Sequence, residues 1–358
     1  MKNKNNSGCI GVLIFIVFIL IIILICGIIY VTNPKKVEEQ INNLISYVEN
    51  LASDKPQKEN IILPEEEKLT EAQRYYYFQQ LNEPAKKIYI TIENNIDKIK
   101  NGEDNIKLPE CLNEIAKSSA DGKEIVAEEF QNAWDAFVID KCEYFYLDSG
   151  KVCLVTKIIS KGDNQDYEFY IGKGNNETYF VDGFDSKDDV ENAIKEINNI
   201  KNEILSNATG DNYDKILYVH DWIVDNLKYD TKGTSNNSNI YGALVHKTSI
   251  CEGYARLFKY LLDELSIPCV LVSGESMDSN GKIERHAWNY VYINNSWYAV
   301  DTTWDDPILL GNGKITKSIK YKYFLKGRNF MDEDHTEGGT VTKNGMRFKF
   351  PELNYKDL

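Results

Sequence analysis

A helix-forming segment followed by a β-hairpin, between Cys251 and Trp304, constrains the fold of this chain more than any other sequence feature. The segment CEGYARLFKYLLDEL repeats its leucines along one helical face, and Pro268 follows its end. HAWNYVYI and SWYAVDTTW have the composition of strands, and Asn294-Asn295 between them suits a two-residue turn. These patterns predict a helix that packs on an antiparallel sheet.

The hairpin places several polar and aromatic side chains on one face. Counting outward from the turn puts His286 opposite Thr303 and Trp288 opposite Asp301. Because side chains alternate across a strand, all four share a face of the sheet. His286 and Asp301 are then diagonal neighbours, close enough for the carboxylate to accept a hydrogen bond from the imidazole. A bulge in either strand would break this parity.

Cys251 is the first residue of the predicted helix, where unpaired backbone N–H groups and the helix dipole favour negative charge. Gly253 keeps one side of this turn small, so that a base or a substrate could approach. Together with His286 and Asp301, the chain supplies a thiol, an imidazole and a carboxylate, the groups of a nucleophilic triad. The plainer alternatives are a buried, inert cysteine and an exposed polar pair on the hairpin.

Other residues are weaker site candidates. Tyr241 lies ten residues before Cys251 and is predicted to contribute to an oxyanion site or a pocket wall, the alternative being a core aromatic. Trp288 and Trp304 are predicted to wall the cleft. His220 is a possible secondary site residue, for which a structural hydrogen-bonding role is the favoured interpretation.

The N-terminus contains an apolar run at residues 10–31 that is long enough to span a bilayer. Lys2 and Lys4 precede it, and the positive-inside rule then predicts a cytoplasmic tail at residues 1–9 and an extracellular C-terminal domain. A cleaved signal peptide is the alternative, although no A-x-A-like site follows the run. We therefore expect a single-pass protein of the cell membrane, anchored by residues 10–31.

Residues 32–69 are predicted to form a helical stalk and linker, and residues 70–358 a globular domain whose catalytic core spans about 205–330. Apolar residues recur at spacings of four and three between positions 37 and 51. This stripe covers only about two heptads, fewer than a sustained coiled coil needs. A packed stalk helix explains it, and weak self-association through 37–51 is the alternative.

The globular domain is predicted to contain separate blocks of helices and strands. Lys187 to Asn207 and Tyr213 to Leu227 are predicted helices. Upstream, four aromatic and β-branched segments predict strands: FVIDKCEYFYL, KVCLVTKII, YEFYIG and ETYFV. Such an arrangement is typical of an α+β fold.

Charge and cysteine content exclude some function classes. The formal net charge of −14 argues against a nucleic-acid partner, which requires a basic face. Five of the seven cysteines lie beyond residue 31, and this odd number leaves at least one thiol without an intramolecular partner. No cysteine pair has metal-ligand spacing such as C-x-x-C, so we expect neither metal nor cofactor, and a metal-dependent hydrolase is disfavoured.

The motifs C-E-G-Y-A, H-A-W-N and W-Y-x-V-D-x-T-W resemble the transglutaminase-like superfamily of papain-like folds, in its bacterial, kyphoscoliosis-peptidase-like branch. VHDWIVDNLKYD and YGALVHKTSICEGYA extend the resemblance upstream, and it covers roughly Thr70 to Phe330. The chain departs from the branch at Lys141 and Cys142, where a His-Pro pair is more usual. No calcium-binding pattern is apparent, so the metal dependence of animal transglutaminases is not expected.

The resemblance implies a papain- or transglutaminase-like fold and assigns roles to three residues. Cys251 would be the nucleophile, His286 the base and Asp301 the group that orients the base. The implied function is acyl transfer on protein or peptide amides, as a peptidase or amidase if water resolves the thioester and as a transglutaminase if an amine does. Hydrolysis is slightly favoured because water is always present. A non-catalytic surface binding or scaffold module is the alternative.

Overall fold

Residues 75–162, 164–306, 316–338 and 346–358 are described by the computed structural model of this chain. The predicted tail, membrane anchor, stalk and linker lie outside these residues, as does the segment 37–51 predicted to self-associate. In the part of the chain that is described, no helix is both long and apolar enough to cross a membrane.

Helices dominate the first half of the described chain, and the four strands of the larger sheet lie in the second half. In chain order the α-helices are α1 (Glu83–Asn94), α2 (Ile96–Lys100), α3 (Cys111–Ser118), α4 (Gly122–Asp140), α5 (Lys187–Asn207), α6 (Asn212–Asn226), α7 (Ile240–Leu244), α8 (Cys251–Glu264), α9 (Lys317–Lys320) and α10 (Arg328–Met331). The strands are β1 (Ile106–Lys107), β2 (Cys153–Lys161), β3 (Asn164–Gly172), β4 (Lys228–Tyr229), β5 (Thr248–Ser249), β6 (Cys269–Met277), β7 (Ile283–Ile293), β8 (Ser296–Val300) and β9 (His335–Glu337).

These strands form one larger antiparallel sheet and two smaller sheets. The larger sheet has the order β8-β7-β6-β9, and all of its neighbouring strands are antiparallel. A second antiparallel sheet has the order β1-β3-β2, and β4 and β5 form a short parallel pair. The mixture of helices and antiparallel sheet agrees with the predicted α+β class.

The N-terminal helices show where local sequence signals succeed. Asn82 caps α1 by accepting a hydrogen bond from the backbone N–H of Ala85, with Pro84 in the first turn. Such a cap contributes about 1 kcal/mol to stability. Helix α5 spans Lys187–Asn207, the residues predicted, and begins with a capping box formed by Ser186 and Asp189.

Two predicted strands are wrong. FVIDKCEYFYL instead completes α4, which ends at Asp140, and continues into a 3₁₀ turn at Cys142–Tyr144. Buried Phe130 and Phe137 lie seven residues apart on one helical face, so tertiary packing outweighs the β-branched composition. ETYFV forms no strand and makes only an isolated bridge between Phe180 and Leu147.

The hairpin follows the predicted register. Ile293 pairs with Ser296, and the ladder continues to Asn289 and Val300. Asn294 and Asn295 connect the strands with positive φ angles of 53° and 58°, as a type I′ turn requires.

The ladder ends at the Asn289–Val300 pair, so the predicted pairings of Trp288 with Asp301 and of His286 with Thr303 are wrong. Beyond Val300 the chain leaves the sheet edge, and the Asp301 backbone N–H donates to the Tyr323 carbonyl.

Helix α8 packs on the sheet, and a buried amide links the two. The Asn289 side chain on β7 donates to the carbonyl of Ala255 on α8 across 3.0 Å. Leu257, Leu261 and Leu262 of the helix are fully buried. This contact fixes the start of α8, and with it Cys251, relative to the strand that bears His286.

Candidate active site

Cys251 and His286 line the same cleft, which has a volume of about 780 Å³. Cys251 is half-buried and is the first residue of α8. Ile250 precedes it in extended conformation and makes no side-chain cap. The helix dipole favours a negative charge at this position.

Gly253 is required by the close approach of two neighbouring segments. A Cβ atom at this position would lie 1.9 Å from Ser249 Oγ and 2.9 Å from the Asn237 carbonyl oxygen. The open side of the turn is therefore filled by the chain itself. The prediction that it leaves room for a base or substrate is wrong.

His286 and Asp301 are joined by a short hydrogen bond between buried side chains. His286 Nε2 lies 2.7 Å from Asp301 Oδ2. Asp301 Oδ1 accepts from the backbone N–H groups of Thr303 at 3.0 Å and Trp304 at 3.1 Å. Because the carboxylate accepts at every position, His286 Nε2 carries the hydrogen and Nδ1 is the nitrogen that bonds Cys251.

The pKa values of this pair move apart. Burial lowers the pKa of His286, but the Asp301 charge and hydrogen bond, followed by those of Cys251, raise it to about 10. Burial raises the pKa of Asp301, but the charges and hydrogen bonds of His286 and His335 hold it well below its usual range. The site is therefore built to hold an imidazolium against an ionised carboxylate.

His335 is a site residue that the sequence analysis missed. It is buried on β9, and its Nε2 lies 3.1 Å from Asp301 Oδ2, the oxygen that also faces His286. Its Nδ1 lies 2.6 Å from Asp334 Oδ1. The sequence signal was slight, since His335 is one of only four histidines and lies in the acidic segment MDEDHTE.

Trp288 and Trp304 enclose the histidines and do not line the cleft. The Trp288 ring centroid lies 5.9 Å from that of His286 and 5.0 Å from that of His335. Trp304 lies 5.6 Å and 4.7 Å from the same two rings. Instead of walling the cleft, the two tryptophans form an apolar enclosure that keeps water from the hydrogen bonds of Asp301.

Tyr241 lies away from the cleft, contrary to its predicted role in an oxyanion site or pocket wall. Its ring stacks on Phe145, and its hydroxyl donates to Glu196 on α5 across 3.0 Å. The short helix α7, which contains Tyr241, directs this side chain toward α5. The distance in sequence from Tyr241 to Cys251 does not reveal that direction.

Tyr229 is the tyrosine that contacts the nucleophile. Burial and the nearby Cys251 and Glu284 side chains raise the pKa of Tyr229 to about 12, while a hydrogen bond from the Cys251 backbone N–H lowers it. Its hydroxyl therefore stays protonated beside the first turn of α8. Tyr229 belongs to the segment VHDWIVDNLKYD, which resembles the family but whose resemblance implies no role for this residue.

His220 has the structural role that was favoured for it. It is fully buried on α6, with Nε2 3.0 Å from Asp305 Oδ2 and Nδ1 3.3 Å from Asp221 Oδ1. Asp305 also accepts from the Tyr323 backbone N–H at 2.8 Å. The network ties α6 to the turn that follows Asp301.

Three of the described side chains could together hold a metal ion. The ligand atoms of His286, Asp301 and His335 all lie within 4.8 Å of one another. The two histidine–carboxylate distances, 2.7 and 3.1 Å, are those of direct hydrogen bonds, which satisfy the three groups without an ion. The five cysteines of the described region are free thiols.

Comparison with known families agrees with this geometry. Residues 198–302 match the family model described as the transglutaminase-like superfamily. The matched segment contains Cys251, His286 and Asp301. The chain therefore contains a domain of the transglutaminase-like superfamily, the family that its motifs predicted.

Two curated relatives are the kyphoscoliosis peptidases of Mus musculus and Homo sapiens, which are 26% and 25% identical to this chain over 152 residues. Each match covers 39% of this chain and 23% of the relative. The chain thus spans about a quarter of the length of these relatives.

Similar solved structures include a TGase, at 15% identity and a TM-score of 0.27, with 44% of this chain and 48% of that chain covered. Another is the periplasmic domain of TgpA from Pseudomonas aeruginosa bound to ethylmercury, at 13% identity and a TM-score of 0.24. That match covers 44% of this chain and 69% of that chain.

Proposed function

We propose that this protein is a cysteine-dependent acyl-transfer enzyme that acts on protein or peptide amides. The observation that carries the proposal is the 2.7 Å hydrogen bond between His286 and Asp301, which leaves the other imidazole nitrogen for Cys251 in a shared cleft. A buried acid that orients a base beside a helix-start thiol is the arrangement that nucleophilic catalysis requires.

The acylation half-reaction follows from this geometry. The Cys251 sulfur attacks the amide carbonyl, and its proton is held by His286. The tetrahedral intermediate carries a negative oxygen, and we propose that the Cys251 backbone N–H, which bonds Tyr229 in the resting site, stabilises it. Collapse breaks the C–N bond, His286 gives its proton to the leaving amine, and a Cys251 thioester remains.

The acceptor decides whether the overall reaction is hydrolysis or transamidation. Water or a primary amine attacks the thioester carbonyl and gives its proton to His286. The products are a carboxylic acid or a new amide, and in both cases the thiol is regenerated. We propose hydrolysis as the main outcome, since Cys251 lines a surface cleft and water is always present as an acceptor.

Incubating the purified full chain with a peptide library and a labelled primary amine tests this proposal. We expect new peptide termini, detected by mass spectrometry, with amine incorporation as the minor product. Cys251→Ser should remove both products, whereas the same change at exposed Cys111 should remove neither. If the wild-type chain produces neither, or if Cys251→Ser retains them, the enzyme proposal fails and a binding module becomes the better description.

We also propose that residues 10–31 anchor the protein in the cell membrane with the catalytic domain outside. The length of the apolar run and the preceding lysines support this orientation. Protease added to intact cells is expected to digest the domain beyond Val31, while a cytoplasmic marker protein stays intact. Protection of the domain until the cells are lysed would contradict the outward orientation.

A further inference from the structure

His335 is held between two carboxylates, one at each ring nitrogen. Nε2 faces Asp301 Oδ2 at 3.1 Å, and Nδ1 faces Asp334 Oδ1 at 2.6 Å. The ring is buried, with the Trp304 and Trp288 centroids 4.7 and 5.0 Å away. Its hydrogen-bonding capacity is therefore used entirely by these two acids.

The remaining bonds of both acids show that they accept rather than donate. Asp301 Oδ1 accepts two backbone N–H bonds, and Oδ2 accepts from His286. Asp334 Oδ2 accepts from the Tyr323 hydroxyl at 2.7 Å. An ionised carboxylate has no hydrogen to offer, and a neutral imidazole has only one. A neutral His335 would therefore set a nitrogen lone pair against a carboxylate oxygen.

We infer that His335 is a buried imidazolium that acts as a positioning residue for the Cys251–His286–Asp301 site. The catalytic consequence of this inference rests on the proposed function. The charge state of His335 is independent of that function. By donating to the same oxygen as His286, His335 stops Asp301 from rotating. It also takes a share of the Asp301 charge, so that His286 releases its proton to the leaving amine more readily.

The groups around His335 are consistent with a fixed positive charge. Asp301 comes from the turn after β8, and Asp334 lies in the turn directly before β9, which begins at His335. The Tyr323 ring lies 5.4 Å away, with its hydroxyl directed to Asp334, and the His286 ring lies 5.5 Å away on β7. Two carboxylates thus face two imidazoliums, and the charges of these four groups balance.

The charge state can be measured without any substrate. Correlation spectra of the full chain labelled with ¹⁵N-histidine report whether each ring nitrogen carries a hydrogen. We expect His335 to retain both hydrogens between about pH 5 and 8, with the exposed His246 recorded in the same spectra as a reference. The His335 signals are assigned by their loss in His335→Gln, or by removing the other three histidines one at a time if that variant does not fold.

Two spectroscopic results would overturn the inference. One is a His335 ring with a single hydrogen throughout this pH range. The other is the loss of the Nε2 hydrogen from both His335 and His286 on addition of Zn²⁺ at stoichiometric concentration, which would make the cluster a metal site.

Kinetics test the positioning role separately. His335→Gln keeps one amide donor but no charge, and we expect kcat to fall roughly tenfold or more with KM nearly unchanged. His246→Gln is the matched control on the surface and should leave both constants unchanged. Equal kcat in the two variants would remove the positioning role even if His335 is an imidazolium. A chain with no activity would overturn the proposed function and leave the spectroscopic result standing.

Discussion

Replacing Asp301 by asparagine is expected to lower kcat/KM roughly 10⁴-fold while preserving the fold. The amide oxygen can still accept from the Thr303 and Trp304 backbone N–H groups, so the turn is kept. The amide nitrogen then faces His286 Nε2 and donates, which forces the hydrogen of a neutral ring onto Nδ1. That nitrogen could no longer take the Cys251 proton.

The same substitution should change the pH profile in a defined direction. In the wild-type chain kcat/KM should fall on the alkaline side near pH 10, because the pKa of His286 is raised to about 10 and the imidazolium protonates the leaving amine. Asp301 is the largest contribution that raises this pKa, and burial opposes it. Asp301→Asn should therefore move the alkaline limb to much lower pH.

Linkage gives a matching expectation for stability. The pKa of His286 in the folded chain lies above its unfolded value, so this contribution to stability is complete below about pH 6.5 and is lost as the pH rises towards 10. The pKa of Asp301 is lowered, so its contribution is present above about pH 4 and is lost as the pH falls below that. Asp301→Asn should cost roughly 3 kcal/mol of unfolding free energy at neutral pH, measured by urea denaturation.

Asp305→Asn is the control for these effects. Asp305 is also buried and bonds a histidine, His220, but neither residue lines the cleft. The control should lower stability without moving the alkaline limb of kcat/KM. If both variants give the same profile, or if Asp301→Asn retains the wild-type alkaline limb, Asp301 does not orient the catalytic base.

Replacing Cys251 by alanine is expected to reduce turnover on the order of 10⁶-fold. Cys142 and Cys269 cannot substitute for it, because both are buried and burial raises the pKa of both. Peptide binding should survive, since the side chain is small and half-buried at the edge of a large cleft. Turnover is measured by mass spectrometry, and binding by calorimetry with the alanine variant.

Alkylation by iodoacetamide provides a second measurement on the same residue. Cys251 should react faster than Cys111 although Cys111 is exposed, because only Cys251 combines a helix N-terminus with an imidazolium. Cys111→Ala is the control and should keep full turnover. Equal labelling rates for the two thiols, or turnover that persists in Cys251→Ala, would exclude a catalytic role for Cys251.

Local patterns predicted much of the fold that surrounds the site. The start of α8 at Cys251 follows from leucine spacing and Pro268, and the hairpin register follows from the Asn294-Asn295 turn. Both features depend on interactions within about twenty residues of chain, for which turn chemistry and periodicity are direct signals. The motif resemblance then brought Cys251, His286 and Asp301 together before any geometry was known.

Local patterns failed where partners lie far apart in sequence. Phe137 belongs to a segment with strand composition, but the segment is helical because Phe137 packs in the core as part of α4. Tyr241 precedes Cys251 closely in the chain yet faces α5, whereas Tyr229 contacts the site. In each case the deciding contacts come from other elements, and no periodicity within the segment encodes them.

The sequence by itself determined the helix that begins at Cys251, the turn between the two strands and the identity of three candidate catalytic groups. Only the tertiary structure decided how the acid is used. His335 comes from β9, at the opposite edge of the sheet from β8, and shares one oxygen of Asp301 with His286. The physical reason is that hydrogen bonds between buried groups depend on how strands and turns converge in space, which sequence spacing does not specify.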